Sequence, residues 1–177
     1  MAAERYRVEP LAQHSRTGFS CGVDALDRYF REQAGQDLRR RLAVPYVMVD
    51  GATETIAGYY TLSSVSLLAQ SLPEHIVRRL AHYPVFPATL IGRLAVDLRY
   101  RRQGLGERLL LDALRRSVAA SHEVAAMAVV VDAKDDAARA FYESYGFGRI
   151  LDDEYRLYLS MGTVAQLITA SGQTGSR

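Results

Sequence analysis

The sequence contains few cysteines, few lysines and no long apolar run, and each shortage excludes a class of protein. Its single cysteine, Cys21, excludes an intrachain disulfide and a cysteine-based zinc site, and we expect a small buried side chain there. We expect no metal site, because metal-ligand spacing is missing among the four histidines, which are His14, His75, His82 and His122. No apolar run approaches the roughly 20 residues that span a bilayer, and the polar N-terminus is unlike a signal peptide. The sequence therefore predicts a cytoplasmic protein without membrane contact.

Arginine carries nearly all of the positive charge. Lys134 is the only lysine, whereas arginines cluster in several short stretches. The net charge of +2 gives by itself no reason to expect a nucleic acid partner, and codon bias accounts for much of the arginine excess. Arginine clusters are usually solvated surface, but guanidinium groups also match phosphate oxygens, so both alternatives stay open. The candidates for phosphate contact are Arg28, Arg31, Arg39, Arg40, Arg41, Arg78, Arg79 and Arg93.

The order of apolar periodicities predicts one α/β (α+β) domain with a mixed central sheet flanked by helices. A chain of 177 residues with 49% hydrophobic content can bury one substantial core. Helical spacing follows Asp24, and a hairpin signal surrounds the Asp50-Gly51 turn. The remaining predicted elements are a short helix from residue 73, a strand over 88–96, a helix over 104–121, a strand over 124–131, a helix over 136–145 capped by Asp135 and Gly146, and a strand over 155–159. We expect the domain to span residues 1–161 and a flexible tail to span 162–177, in which Val164, Leu167 and Ile168 are able to dock locally.

A glycine-containing stretch lies between the predicted strand 88–96 and the following helix. It reads Arg101-Arg102-Gln103-Gly104-Leu105-Gly106. Neither the Walker A spacing nor the three-glycine dinucleotide fingerprint fits it. A strand that turns through glycine into a helix N-terminus presents unpaired backbone N–H groups and a favourable helix dipole to an anion. The sequence therefore predicts a cofactor that carries phosphate.

The Arg-x-x-Gly-x-Gly spacing resembles the acetyl-CoA loop of the GNAT superfamily of N-acetyltransferases. The later run Ala138-x-x-Phe141-Tyr142-x-x-x-Gly146-Phe147 matches a second signature of that family. The resemblance implies the GNAT fold over about residues 5–160, acetyl-CoA as cofactor, and Tyr142 as the group that donates a proton or hydrogen bond to the leaving thiolate. It also implies cofactor contacts from Leu94, Ala95 and Val96 to the pantetheine arm and from Arg101, Arg102, Gly104, Leu105 and Gly106 to the diphosphate.

Several dispersed blocks extend the resemblance to one subfamily. They are Phe19-x-Cys21-Gly22, Ala57-Gly58-Tyr59-Tyr60-x-Leu62-Ser63, Arg93-Leu94-Ala95-Val96-Asp97 and Val131-Asp132-Ala133-Lys134-Asp135. In this order they are similar to the acetyltransferase toxins of bacterial type II toxin–antitoxin modules. That resemblance implies acetylation of the α-amine on aminoacyl-tRNA, a block of translation, a homodimer and a ribbon–helix–helix antitoxin as partner.

Acid–base chemistry gives an independent indication of the acceptor. An amine must be neutral to attack a thioester, yet residues 89–96 contain no carboxylate or histidine to remove its proton. A lysine amine, with a pKa of about 10.4, would depend on such a base, whereas an α-amine near 7.7–8.0 is already partly neutral. The sequence therefore favours an α-amine, although a carboxylate from elsewhere or a water chain is able to serve.

Two other interpretations stay open at this point. One is a GNAT enzyme that acetylates a small amine or a protein N-terminus, in which the arginines are only solvated surface. The other is a degenerate GNAT module that binds CoA or a partner without turnover. The intact glycine stretch and Tyr142 count against the degenerate module.

Overall fold

The structure is a computed structural model that describes residues 4–80 and 82–173. Its strands are β1 (Tyr6–Pro10), β2 (Val44–Asp50), β3 (Thr55–Leu68), β4 (Val85–Val96), β5 (Ala128–Asp132), β6 (Gly148–Arg149) and β7 (Arg156–Ser160). Its helices are α1 (Asp24–Arg28), α2 (Ala34–Arg40), α3 (Glu74–Val77), α4 (Leu105–Ser121), α5 (Asp136–Glu143) and α6 (Met161–Gln173). The strands form a mixed seven-stranded sheet in the order β1-β2-β3-β4-β5-β7-β6, so the predicted fold class is confirmed.

One compact unit consists of Met1–Ser63 and Gly92–Ala113. Within it, β1 pairs antiparallel with β2, and β2 pairs antiparallel with β3, which confirms the predicted hairpin. The turn between β2 and β3 is longer than a two-residue turn, and a register shift interrupts the ladder at Met48 and Val49. The core of this unit is aromatic: the rings of Phe30 and Tyr59 stack at 4.2 Å, and Phe19 packs edge-on against both.

A helical segment over residues 24–40 covers this core. It begins at Asp24, as the sequence predicts, but a π turn over Tyr29–Gln33 separates α1 from α2. The segment ends at Arg41, whose φ of 58° places it in the left-handed region that commonly terminates helices. The π turn keeps Phe30 and Ala34 fully buried while the arginines of the segment stay exposed.

The second compact unit consists of Ser64–Ile91 and Leu114–Arg177. Here β4 pairs parallel with β5 over Ala88–Ile91, and β7 pairs antiparallel with β5 and with β6. The residues of β5 from Ala128 through Val131 are completely buried, which confirms a strand covered on both faces. The predicted start at Val124 is wrong, because Val124 is 78% exposed and precedes the strand.

Helix α5 begins where the sequence predicts, but it ends at Glu143, two residues before the predicted end at residue 145. The Asp135 side chain accepts a hydrogen bond from the N–H of Ala138 at 2.8 Å, and Gly146 takes a φ of +96° after the helix. The expected tail is helical as α6 up to Gln173, with Val164 fully buried, and residues 174–177 lie outside the described residues. The boundary at residue 161 stays a prediction. No helix in the described ranges has both the length and the apolarity needed to cross a membrane.

Candidate active site

The backbone between β4 and α4 has the geometry of an anion site. After Val96 the chain makes a short 3₁₀ turn over Leu98–Tyr100 and then enters the glycine loop, residues 101–106. Positive φ angles occur at Arg102 (61°) and at Gly104 (72°). Helix α4 begins at Leu105, so the first N–H groups of its opening turn have no acceptor within the helix. Nothing lies within 4 Å of the position that a Cβ of Gly104 would take, which leaves the backbone open to a phosphate.

Two side chains of the glycine loop are held by distant residues. Arg101 Nη2 donates to the carbonyl oxygen of Cys21 at 2.9 Å, so this guanidinium group is partly engaged within the fold. The buried Tyr6 donates its hydroxyl proton to Gln103 Oε1 at 2.8 Å. Because the oxygen of this amide is occupied, the NH₂ group of Gln103 is the end left to donate toward a ligand. The sequence interpretation missed Gln103, whose tyrosine partner lies 97 residues earlier.

The last residues of β4 lie beyond its ladder with β5. The recorded pairs of that ladder cover Ala88–Ile91, whereas the residues assigned to the pantetheine arm are Leu94, Ala95 and Val96. Ala95 is buried, and its two neighbours are half-buried. On the side that faces β5, backbone groups of a strand end that lie beyond the ladder are able to hydrogen-bond an extended, amide-bearing ligand. Pantetheine binding at these residues stays a prediction.

Gly58 permits a close approach of β3 to this strand end. A Cβ at residue 58 would lie 2.8 Å from the carbonyl oxygen of Ala95 and 2.7 Å from Cδ1 of Leu109. A backbone oxygen at that distance cannot move without moving the strand, so only glycine fits here. The next residue, Tyr59, donates its hydroxyl proton to the backbone oxygen of Leu26 at 2.8 Å. Packing within this unit therefore explains the glycine and the first tyrosine of the Gly-Tyr-Tyr block.

Two buried carboxylates fix the segment before α1. Asp97 accepts a hydrogen bond from the N–H of Ser20 at 3.1 Å, and Asp27 accepts one from the N–H of Cys21 at 2.8 Å. Burial alone would raise the pKa of both carboxyls, but hydrogen bonds, with Arg99 the main donor to Asp97, lower both pKa values overall. Both groups are therefore ionised and committed to the fold, so neither is a free base for the acceptor amine.

Cys21 is buried, which confirms the small buried side chain expected from the sequence. Its Sγ lies 3.8 Å from the carbonyl oxygen of Val23. Within residues 4–80 and 82–173, no group of three or more histidine, cysteine, aspartate or glutamate side chains is arranged to hold a metal ion.

Tyr142 lies on α5, in the second compact unit, and is only 5% exposed. Its ring contacts those of Phe141 and Phe147 at centroid distances of 5.2 and 5.8 Å. Burial, with a smaller contribution from the charge of Asp132, raises the pKa of the Tyr142 hydroxyl above its usual value. No residue in the described ranges hydrogen-bonds this hydroxyl. The ring is thus held by packing, while its protonated hydroxyl keeps its hydrogen-bonding capacity for a ligand.

The predicted phosphate-contacting arginines divide between the two units. In the first unit, five of them are exposed on the helical segment and its exit: Arg28, Arg31, Arg39, Arg40 and Arg41. In the second unit, Arg78 and Arg79 are exposed at the end of α3, where Arg78 pairs with Glu74 at 2.7 Å. An exposed ion pair of this kind contributes little to stability.

Arg93 differs from the other arginines because it is half-buried. Its guanidinium carbon lies 3.4 Å above the ring centroid of Tyr29, whose hydroxyl donates to Asp37 at 2.9 Å. Burial, and then the hydrogen bond to Asp37, raise the pKa of Tyr29 to about 12. A guanidinium stacked on an aromatic face is fixed in position and keeps its N–H donors at the ring edge. This geometry excludes the interpretation of Arg93 as a freely solvated strand residue.

Comparison with known proteins agrees with this geometry. Residues 87–159 match the family described as an acetyltransferase (GNAT) domain. A probable toxin TacT of Sinorhizobium fredii is 30% identical over 176 residues, which cover 94% of this chain and 97% of the relative. The chain belongs to the GNAT acetyltransferase family. A second relative, a tRNA-acetylating toxin of Mycobacterium tuberculosis, is 35% identical over 153 residues, which cover 86% of this chain and 89% of that toxin.

Solved structures of similar proteins extend the match to nearly the whole GNAT fold. A tyrosine-to-phenylalanine mutant of KacT superposes with a TM-score of 0.87 at 28% identity, covering 93% of this chain and 99% of that one. AtaTR bound with AcCoA gives a TM-score of 0.81 at 26% identity, covering 92% of this chain and 98% of that one. The GNAT assignment therefore does not depend on the glycine loop alone.

Proposed function

We propose that this GNAT acetyltransferase transfers the acetyl group of acetyl-CoA to the α-amine of the aminoacyl group on charged tRNA and thereby blocks translation. The observation that carries the proposal is the similarity, over 86% of the chain, to a protein named as a tRNA-acetylating toxin. The open backbone of the glycine loop and the AcCoA-bound relative support the donor. The arginines of the helical segment support a polyanionic acceptor.

The residues of the first unit fit the chemistry of the donor, which supplies an acetyl thioester. The backbone N–H groups at Gly104, Leu105 and Gly106 bind the diphosphate, and the side chains of Arg101 and Arg102 add positive charge. The amide of Gln103 adds a neutral donor that is oriented by its bond to Tyr6. The strand end formed by Leu94, Ala95 and Val96 binds the pantetheine amides.

The Tyr142 hydroxyl donates a proton or a hydrogen bond to the departing thiolate. The conjugate acid of that thiolate has a pKa near 8.5, so a phenol of higher pKa acts mainly by donating a hydrogen bond, and a positioned general acid contributes about 10²–10⁴-fold. Burial raises the pKa of Tyr142, which keeps its hydroxyl protonated at neutral pH. The acceptor α-amine needs no strong base, because a group with a pKa near 8 is partly neutral at that pH.

The proposed phosphate contacts to the acceptor come from Arg28, Arg31, Arg39, Arg40, Arg41, Arg78, Arg79 and Arg93. Arg93 has the most defined position because it is stacked on Tyr29. Translation block also places the enzyme in the cytoplasm, and a toxin of this kind needs a neutralising partner. The resemblance to the toxins of toxin–antitoxin modules implies a ribbon–helix–helix antitoxin and a homodimeric enzyme, and we include both in the proposal.

The decisive experiment supplies the purified enzyme with labelled acetyl-CoA and a mixture of charged tRNAs. We expect label on the aminoacyl group, released as N-acetyl amino acid when the ester is hydrolysed, and none on uncharged tRNA. Parallel reactions with free amino acids, polyamines and peptides with free N-termini test the alternative acceptors. Equal or faster labelling of any of these amines would replace the tRNA function with the small-amine or N-terminal one.

A further inference from the structure

Arg16 is fixed against the π turn of the helical segment. Its Nη1 donates to the backbone oxygen of Phe30, inside the π turn, at 2.7 Å. Arg16 is half-buried, so its guanidinium group is held in place rather than moving freely in solvent. Single π turns within helices occur frequently at functional sites, because they change the direction of backbone and side-chain groups. Arg16 is not among the arginines that the sequence clusters indicate.

A second guanidinium group meets Arg16 above Gly35. A Cβ at residue 35 would lie 3.3 Å from Nη2 of Arg16 and 3.5 Å from Nη1 of Arg39. Since both nitrogens lie so close to one point, the two cations are within about 7 Å of each other, a distance at which like charges repel. Gly35 has no side chain to separate them, and the space between the two groups is bounded by bare helix backbone.

Within the part of the chain that the structure describes, no acidic side chain forms an ion pair or a hydrogen bond with either of these cations. Arg39 forms no recorded ion pair or hydrogen bond there, and the recorded partner of Arg16 is the Phe30 carbonyl. Asp37, the nearest acid along the segment, is buried and accepts the hydroxyl proton of Tyr29. Two converging guanidinium groups without a carboxylate are the arrangement that binds a shared phosphate, whose oxygens accept N–H donors at 2.7–2.9 Å.

We propose that Arg16 and Arg39 form a clamp, across Gly35, for one phosphodiester group of the RNA acceptor. The proposal rests on the proposed function and adds a defined site to it. Arg16 supplies the fixed side of the clamp and Arg39, one helical turn beyond Gly35, supplies the exposed side. The ligand is a phosphodiester rather than the diphosphate of the donor, for which the glycine loop is already assigned.

The salt dependence of RNA binding tests whether the two arginines share one phosphate. The variants are Arg16→Gln, Arg39→Gln and the double substitution, and the probe is uncharged tRNA. A single shared phosphate predicts that the double substitution flattens the slope of log K against log salt by about 0.7–0.9, and that each single substitution already removes most of that change. A flattening about twice as large would mean two separate contacts and would overturn the clamp.

Gly35→Ala tests the space between the two groups without removing charge. The new methyl group would enter the gap next to the flexible ends of two side chains, so the fold is able to adjust. Alanine also favours the helix more than glycine does, so we expect equal or greater resistance to urea. We expect weaker tRNA binding and unchanged acetyl-CoA affinity. Gly172→Ala is the matched control, because residue 172 also lies in a helix and has nothing within 4 Å.

The outcomes separate the clamp from the proposed function. One outcome would overturn only the clamp. In it, the wild type acetylates charged tRNA, while Gly35→Ala and the double substitution keep the wild-type tRNA affinity and salt slope. Loss of tRNA binding in these variants, without acetylation of charged tRNA by the wild type, would support the clamp and overturn the proposed function. A wild type that does not bind tRNA would overturn the clamp as well.

Discussion

Replacing Tyr142 with phenylalanine should separate catalysis from stability more sharply than any other single change. Tyr142 is buried, and its hydroxyl has no hydrogen-bonding partner among the residues described, so removing the hydroxyl breaks no bond within the fold. We therefore expect Tyr142→Phe to keep the free energy of unfolding within about 1 kcal/mol of the wild type. The rate of acetyl transfer should fall about 10²–10⁴-fold, which corresponds to roughly 3–5 kcal/mol of transition-state stabilisation.

Single-turnover transfer to charged tRNA, urea unfolding and acetyl-CoA calorimetry measure the three quantities separately. Because burial raises the pKa of Tyr142, the hydroxyl stays protonated across about pH 7–9, and the rate ratio between wild type and variant should stay constant there. Tyr158→Phe is the control, since it removes a hydroxyl from a half-buried tyrosine of the same unit. A Tyr142→Phe rate within a few-fold of the control would refute the role of the Tyr142 hydroxyl as a donor to the thiolate and leave Tyr142 as a packing residue.

Three further predictions concern the loop, the arginines and acid stability. Gly104→Val should weaken acetyl-CoA binding measured by calorimetry, because a branched side chain is strained at a φ of 72°. Unchanged affinity with an intact fold would mean that the glycine loop is only a structural turn. Replacing Arg39, Arg40 and Arg41 with glutamine should flatten the slope of log K against log salt for tRNA binding by about 0.7–0.9 per lost contact. The acetyl-CoA affinity should not change. An unchanged slope would mean that these three arginines are only solvated surface. A hydrogen bond from Arg5 lowers the pKa of Asp50 from 3.8 to about 2 in the folded protein. The ionised Asp50 therefore stabilises the fold fully above its unfolded-state pKa, and this stabilisation is lost as the pH falls through the folded-state pKa. Between these two pH values, the free energy of unfolding measured with urea should therefore fall less for Asp50→Asn than for the wild type. Parallel plots of this free energy against pH would contradict the assigned role of Asp50.

The elements that the sequence predicts well are those whose signals are local. Helix α4 begins at Leu105 because the glycine loop stops the strand and an apolar stripe follows. The cap at Asp135 and the turn at Gly146 depend on residues within a few positions of the helix they bound. Completely buried β5 has an uninterrupted apolar run, and only its first residues were misplaced, because Val124 has strand propensity without burial.

The features that the sequence did not indicate depend on distant or subtle contacts. Gln103 becomes a candidate ligand only through Tyr6, a partner with no sequence relation to the loop. The π turn differs from an ordinary helix by one extra residue per turn, which the spacing of apolar residues does not distinguish. The clamp residue Arg16 lies in a loop and is positioned by a backbone carbonyl, so no cluster of charge marks it.

The link between Ser20 and the end of β4 has a consequence for how the protein is made. The backbone N–H of Ser20 donates to Asp97, and its backbone oxygen accepts from the N–H of Leu98, so the entry to the arginine-rich helical segment is closed by residues that lie 77 and 78 positions later. At about 5–20 residues per second, a ribosome adds those residues roughly 4–15 s after Ser20. During that interval the nascent chain already carries Arg28 and Arg31 but lacks the residues that lock their helix in place. The surface proposed to bind RNA is therefore completed only after the residues at the end of β4 have been added.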